Sequence, residues 1–175
     1  FAAGTIRDAY VRSPSIPTGA FESTLSSQDV DNITWISSGR NLMLGTLSNE
    51  FVVTTNQSFL SAASIGFVKQ SSFGSAIHRP QEVDEYVYFI SNDGLSVVEM
   101  GYSEENGGFV ARDLSTLSDE MLINDKEGRE RYVKIQWDNY LNVLWILTDR
   151  GNVLGINLNK TSDIKAFFSR PVDGV

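Results

Sequence analysis

A β-hairpin pattern that occurs three times is the feature that most limits how this chain can fold. The three copies are superposed by aligning Leu42, Val87 and Leu144. Each copy then ends its first strand with a hydroxyl residue, at Thr46, Ser91 and Thr148. A residue type that tolerates a positive backbone φ follows in the turn, at Asn49, Gly94 and Gly151. The pattern therefore predicts three related hairpins.

The flanking sequence extends the first and third hairpins to four antiparallel strands. Ile135 and Trp137 precede the third hairpin at the same spacing as Ile33 and Trp35 precede the first. The second copy departs from this pattern, with His78 and Pro80 at the corresponding places. The hairpins recur 45 and then 57 residues apart. A four-stranded unit repeating every ~40–50 residues is typical of a β-propeller, so we predict an all-β chain of about three blades.

The predicted organisation has five segments. Residues 1–28 form a linker-like lead-in, because Pro, Ser, Thr and Gly are frequent there. Blade-like units are predicted over 29–72, 73–122 and 132–170, with a charged loop over 123–131. One short helix is predicted near 114–122, because its apolar residues recur with helical spacing.

Two strands are apolar on both faces, namely 86–90 and 143–147. A strand with one wet face alternates polar and apolar residues, so these strands are predicted to be covered on both sides. Neighbouring blades of a propeller provide such cover, which makes Trp145 a packing residue. Three blades are too few to close a ring, since propellers have at least about four. We therefore expect the chain to be a fragment of a longer polypeptide.

Composition narrows the possible functions. The net charge of −8 and the pI near 4.6 argue against tight binding to nucleic acid, which needs clustered Lys and Arg. The chain has no cysteine, so it holds neither a disulfide nor a cysteine-based metal site. No apolar run approaches the ~20 residues that span a bilayer, so no membrane span is expected. No cofactor is expected either.

Residues able to carry chemistry are few. The single histidine, His78, is interpreted as a surface or structural residue, because it has no second histidine or cysteine with which to bind a metal. Acidic pairs occur at Asp29/Asp31, Asp84/Glu85, Glu104/Glu105 and Asp119/Glu120. A glycosidase needs two carboxylates facing across a cleft, whereas these pairs are predicted to lie in solvated loops. Among them, Asp84 and Glu85 are the residues to mutate if hydrolysis is tested.

Three further patterns are interpreted as structural. The triplets at Asn32, Asn56 and Asn159 match the glycosylation signal, which matters only in a secreted protein. Basic residues alternate with acidic ones in 125–134, which indicates a mixed-charge face; they are Lys126, Arg129, Arg131 and Lys134. We predict no catalytic, cofactor-binding or metal-binding residue, and no enzymatic activity.

Four blocks of sequence, spread over roughly residues 21 to 170, resemble in their order a family of phage tail proteins. The first block comprises 33–35, 38–46 and 50–51, and the second comprises 72–75, Pro80 and 87–89. The third comprises Tyr102 and 108–114, and the fourth comprises 143–145 and 151–155. The family is the tail tubular protein B or tail nozzle type of short-tailed phages, which is similar to packaged-DNA stabilisation proteins.

The resemblance implies a virion structural protein, made in the host cytoplasm, that contains a propeller. It implies a homohexameric tube that contacts the adaptor and portal-proximal tail proteins and the tail fibres. Such a tube retains packaged DNA and conducts it during ejection without binding it tightly. Two alternatives stay open: a propeller-type module that binds a receptor or glycan, and a propeller glycoside hydrolase.

Overall fold

Three four-stranded antiparallel sheets contain most of the residues that the structure describes. The computed structural model describes residues 32–56, 64–117, 123–124, 128–159 and 164–170. Sheet 1 contains β1 (Ile33–Ser38), β2 (Leu42–Thr46), β3 (Glu50–Thr55) and β4 (Ile65–Ser71). Sheet 2 contains β5 (Gln81–Val83), β6 (Tyr86–Ile90), β7 (Val97–Ser103) and β8 (Gly108–Asp113). Two-residue strands β9 (Ile123–Asn124) and β10 (Gly128–Arg129) pair with each other. Sheet 3 contains β11 (Tyr132–Asp138), β12 (Val143–Thr148), β13 (Val153–Asn159) and β14 (Ile164–Arg170).

Strand order follows the sequence in every sheet, from the first strand at one edge to the fourth at the other. The prediction of an all-β chain with three antiparallel four-stranded units is therefore confirmed. The first strand of sheet 2 was not predicted, because it is only three residues long and begins directly after Pro80. The lead-in over 1–28 lies outside the described residues.

The region between sheets 2 and 3 contains little regular structure among its described residues. A single 3₁₀ turn, Ser115–Leu117, stands where the helix near 114–122 was predicted, and residues 118–122 lie outside the described part. The segment predicted as a charged loop over 123–131 contains the small β9–β10 hairpin, with Gly128 at φ 80°. Residues 125–127 of that segment are likewise outside the described part.

The aligned hydroxyl residues perform the same task in all three hairpins. In sheet 1 the Asn49 N–H donates to Thr46 Oγ1 over 3.0 Å. In sheet 2 the Ser96 N–H donates to Ser91 Oγ over 2.9 Å, and in sheet 3 the Asn152 N–H donates to Thr148 Oγ1 over 3.1 Å. The hydroxyl thus accepts a backbone N–H from the far side of the turn, which explains why a Thr or Ser recurs there.

Sheet 2 is packed between the other two sheets. One face of β6 carries Val87 and Phe89, which join a buried cluster with Trp35 and Met43 of sheet 1. The opposite face carries Tyr88 and Ile90, which join a second cluster with residues of sheet 3, including Leu144, Ile146, Leu154 and Ile156. The predicted burial of this strand on both faces is therefore confirmed.

The sheets stack with corresponding edges on the same side. Ser37 Oγ of β1 donates to Glu82 Oε1 of β5 over 2.6 Å. The Trp137 N–H of β11 donates to Gln81 Oε1 of β5 over 3.1 Å. At the other edge, β4 lies next to β8. First strands adjoin at both boundaries between sheets, and the fourth strands of sheets 1 and 2 adjoin as well, which is compatible with successive blades in a propeller-like arrangement.

Candidate functional site

The residues that the sequence singled out for chemistry lie mostly in exposed turns. His78 is exposed, and its backbone N–H donates to the Ala76 carbonyl over 2.8 Å. Asp84 and Glu85 form the two-residue turn between β5 and β6, with Asp84 at φ 56°. Glu104 and Glu105 lie in the turn between β7 and β8. The pairs Asp29/Asp31 and Asp119/Glu120 are outside the described residues. Over the described ranges, no three His, Cys, Asp or Glu side chains come close enough to hold a metal ion.

The other singled-out positions are dispersed. Asn32 and Asn56 are exposed, and Asn159 ends β13. Arg129 donates a hydrogen bond from Nη2 to the Leu95 carbonyl over 3.1 Å. Lys134 is exposed on β11, and Arg131 is exposed between β10 and β11. Lys126 lies outside the described residues. No helix in the described part of the chain combines the length and hydropathy that a bilayer crossing requires.

The connection from sheet 1 to sheet 2 is organised by a buried carboxylate. Glu50 is 0% exposed and accepts hydrogen bonds from Ser71 Oγ, from Ser75 Oγ over 2.8 Å, and from the Phe73 N–H. Burial raises the pKa of Glu50, and these three hydrogen bonds counteract that rise only in part. The carboxylate thus ties the end of β4 and the first part of the connector to the first residue of β3.

Each connector also rests on the turn of the preceding sheet. The Ser75 N–H donates to the Thr46 carbonyl over 2.8 Å, which fixes the first connector on the turn of sheet 1. The Tyr132 N–H donates to the Gly94 carbonyl over 2.7 Å, which fixes the start of sheet 3 on the turn of sheet 2. The two donors, Ser75 and Tyr132, lie at corresponding positions of successive units, and each is held by a carbonyl at the turn of the preceding sheet.

Sheets 2 and 3 are joined by a second buried carboxylate. Glu99, on β7, accepts a hydrogen bond from the Tyr88 hydroxyl over 2.7 Å. Its two oxygens lie 2.5 and 2.7 Å from Lys165 Nζ of β14. Burial, together with the adjacent Glu99 charge, raises the pKa of Tyr88, so its hydroxyl remains a donor. The ion pair with Lys165 crosses the boundary between the two sheets.

One face of sheet 3 is less covered than its counterparts. Trp145 and Leu147 align with Tyr88 and Ile90 of sheet 2, which pack against the next sheet. Leu147 is 37% exposed, and Trp145 is half-buried between Phe168 and Arg170. The prediction that β12 is covered on both faces is thus wrong for this face, because none of the described residues forms a sheet beyond it. We call this surface the forward face of sheet 3.

A cleft of about 380 Å³ lies at the end of sheet 2 that carries the β5–β6 and β7–β8 turns. Its wall is formed by sheet 2, while Arg40 approaches from sheet 1 and Lys165 from sheet 3. The acidic residues that line it come from both turns and from β7: Glu85, Glu104, Glu105 and Glu99. Members of two acidic pairs thus line the same concave site. The sequence alone had indicated that both pairs lie on a solvated surface.

Comparison with known proteins adds no assignment. No protein-family model matches the chain, and no curated protein matches it significantly.

Sequence reasoning missed Glu50, Glu99 and Lys165. Glu99 left a signal, because it is the one charged residue in the apolar run 97–100, and a buried charge requires a partner. The partner could not have been named, since Lys165 is 66 positions away. Glu50 left no comparable signal, because it directly follows a turn, where a charged residue is ordinary.

Proposed function

We propose that this chain is part of a virion structural protein, the tail nozzle subunit of a short-tailed phage. In this proposal the subunit is made in the host cytoplasm and assembles as a homohexameric tube below the portal and adaptor. The tube retains packaged DNA, conducts it during ejection and contacts the tail fibres. The proposal assigns no catalytic, metal-binding or cofactor-binding residue to the chain.

The observation that carries the proposal is the forward face of sheet 3. In sheets 1 and 2 the corresponding face is buried by the following sheet. A further four-stranded sheet of the same propeller would bury the exposed part of Leu147 and Trp145 in the same way. A chain whose stack continues in this manner is one part of a larger structural body, as a tail subunit is.

The residues behind the family resemblance support the same reading. Block 72–75 contains the connector residues that bind Glu50, and block 151–155 contains the end of the turn and the start of the return strand of the third hairpin. These positions build the stack and its connections. The net charge of −8 also suits a conduit for DNA, because like charge disfavours adhesion of the strand to the wall.

The tube is tested with the natural polypeptide that contains this sequence. We expect light scattering after size exclusion to give a hexamer, and negative-stain electron microscopy to show rings or tubes with an axial channel. A monomer at micromolar concentration, in particles without a channel, would contradict the proposed tail function.

The continued stack is tested separately with Leu147→Glu. If another sheet covers the forward face, the charge is buried in the natural polypeptide, and the free energy of unfolding falls by at least about 2 kcal/mol. In the 175-residue chain alone the same substitution is expected to change it by less than about 0.5 kcal/mol.

Leu141→Glu is the matched control, because Leu141 is also exposed but lies in the turn between β11 and β12. It is expected to be nearly neutral in both proteins. An equally small effect of Leu147→Glu in the natural polypeptide would show that nothing covers the forward face.

A further inference from the structure

The cleft at the end of sheet 2 presents an aromatic surface. Tyr86 lies across Gly101, where an added Cβ would come within 2.3 Å of the ring, and 40% of the tyrosine is exposed. Tyr102 also lines the cleft, with the Arg40 guanidinium 5.0 Å from its ring centroid. Tyr86 is therefore an aromatic platform fixed against the sheet that is still accessible from the cleft.

Charged groups of both signs surround this platform. Three cationic side chains, Arg40, Arg112 and Lys165, line the cleft together with the four glutamates named above. Guanidinium and ammonium groups only donate hydrogen bonds, whereas carboxylates only accept them. A ligand suited to this site carries groups that donate and accept equally well.

Sugar hydroxyls meet this requirement, because each one is both a donor and an acceptor. The apolar face of a sugar ring can also lie on an aromatic side chain. A phosphate or nucleotide would face four carboxylates in the same cleft, which disfavours an anion. A quaternary ammonium is recognised by several aromatic faces, and Arg40 already occupies the position over Tyr102.

We propose that this cleft is a binding site for a neutral carbohydrate, with Tyr86 as the stacking platform and Glu85, Glu104 and Arg112 as hydrogen-bonding residues. The volume of about 380 Å³ is in the range of small-molecule sites. Glu99 and Lys165, which also line the cleft, form an ion pair with each other and so join the two sheets that border it. The site does not depend on the chain's being a tail component.

The experiment is a screen of the 175-residue chain against an array of defined oligosaccharides, followed by calorimetric titration with the strongest array component. We expect at least one neutral oligosaccharide to bind. Tyr86→Ala, which removes the platform, is expected to weaken binding at least tenfold. Glu104→Gln, which keeps the size of an exposed turn residue and removes its charge, is expected to weaken binding severalfold.

Tyr140→Ala is the matched control, because Tyr140 is 92% exposed in the turn between β11 and β12 and is not part of the cleft. It is expected to bind as the unmodified chain does. Thermal unfolding of each variant separates loss of binding from loss of folding, and Glu104→Gln still tests the site if Tyr86→Ala unfolds.

Three outcomes would overturn the proposal. The first is an array on which no neutral oligosaccharide binds above background. The second is binding that persists in both folded cleft variants, or that Tyr140→Ala weakens equally. The third is that inorganic phosphate or spermidine, used as anionic and cationic probes, binds more tightly than the neutral oligosaccharides. To count, this binding must also be weakened by the cleft substitutions.

Discussion

Removing the ammonium group of Lys165 is the most direct test of how sheets 2 and 3 are held together. In Lys165→Met the Glu99 carboxylate keeps the Tyr88 hydroxyl, 2.7 Å away, but loses its only ion pair among the described residues. The methionine retains most of the aliphatic stem, so packing changes little. The perturbation therefore acts mainly on the charge of a carboxylate that is nearly inaccessible to water.

The expected magnitude follows from the exposure of the two partners. Breaking a fully buried pair costs about 3–5 kcal/mol, whereas exposed pairs contribute about 0–1 kcal/mol. The Lys165 side chain is 29% exposed and that of Glu99 is 6% exposed, so the pair is intermediate. We expect Lys165→Met to lower the free energy of unfolding by about 2 kcal/mol. Glu99→Gln, which leaves no buried charge, is expected to cost about 1 kcal/mol.

The double variant distinguishes the ion pair from packing. Once Glu99→Gln has removed the charge, Lys165→Met should cost little more, which gives a coupling energy of about 1–2 kcal/mol. Urea unfolding at neutral pH, followed by tryptophan fluorescence, measures all four proteins. Lys134→Met is the control, because Lys134 is exposed on β11. Additive effects, with coupling below about 0.5 kcal/mol, would refute the proposed role of the pair.

Two further predictions concern sheet 1. Gly45→Ala is expected to cost about 1–3 kcal/mol, because the new Cβ would lie 2.2 Å from Trp35 Cε2 and the ring must move. Gly39→Ala, whose Cβ would have its nearest neighbour 3.9 Å away, is the control in the same denaturation assay, and equal effects would contradict this reasoning. The raised pKa of Glu50 means that this carboxylate binds a proton more tightly in the folded state than in the unfolded state, where its pKa is near 4.5. The stability of the natural chain relative to Glu50→Gln should therefore fall as the pH rises above about 4.5, and a difference that is constant or grows with pH would exclude this linkage.

The hairpins could be predicted because their determinants are local. Alternating or continuous apolar residues define the strands, and a turn of fixed chemistry separates them. Thr148 and Gly151 illustrate this: the hydroxyl accepts the Asn152 N–H, and the glycine adopts φ 86°. Both requirements depend on residues within a few positions of each other, so the sequence reveals them.

Features that depend on contacts between sheets could not be predicted in the same way. The apolar pattern of 143–147 indicates that both faces can be buried, but not which sheet covers each face. Leu147 is consequently exposed where burial was expected. The cleft has the same origin, because Arg40 and Lys165 reach it from sheets 1 and 3, whose positions against sheet 2 depend on contacts between sheets.

The anchoring of each connector on the preceding turn has a consequence for synthesis on the ribosome. The Thr46 carbonyl that receives Ser75 and the Gly94 carbonyl that receives Tyr132 both leave the ribosome before the sheet they position. Each completed sheet can thus template its successor, and folding can proceed from the N-terminus as the chain emerges. The second connector, 114–131, can also be longer than the first, 72–80. The hydrogen bond at the anchor, and not the length of the connector, determines where the next sheet is placed.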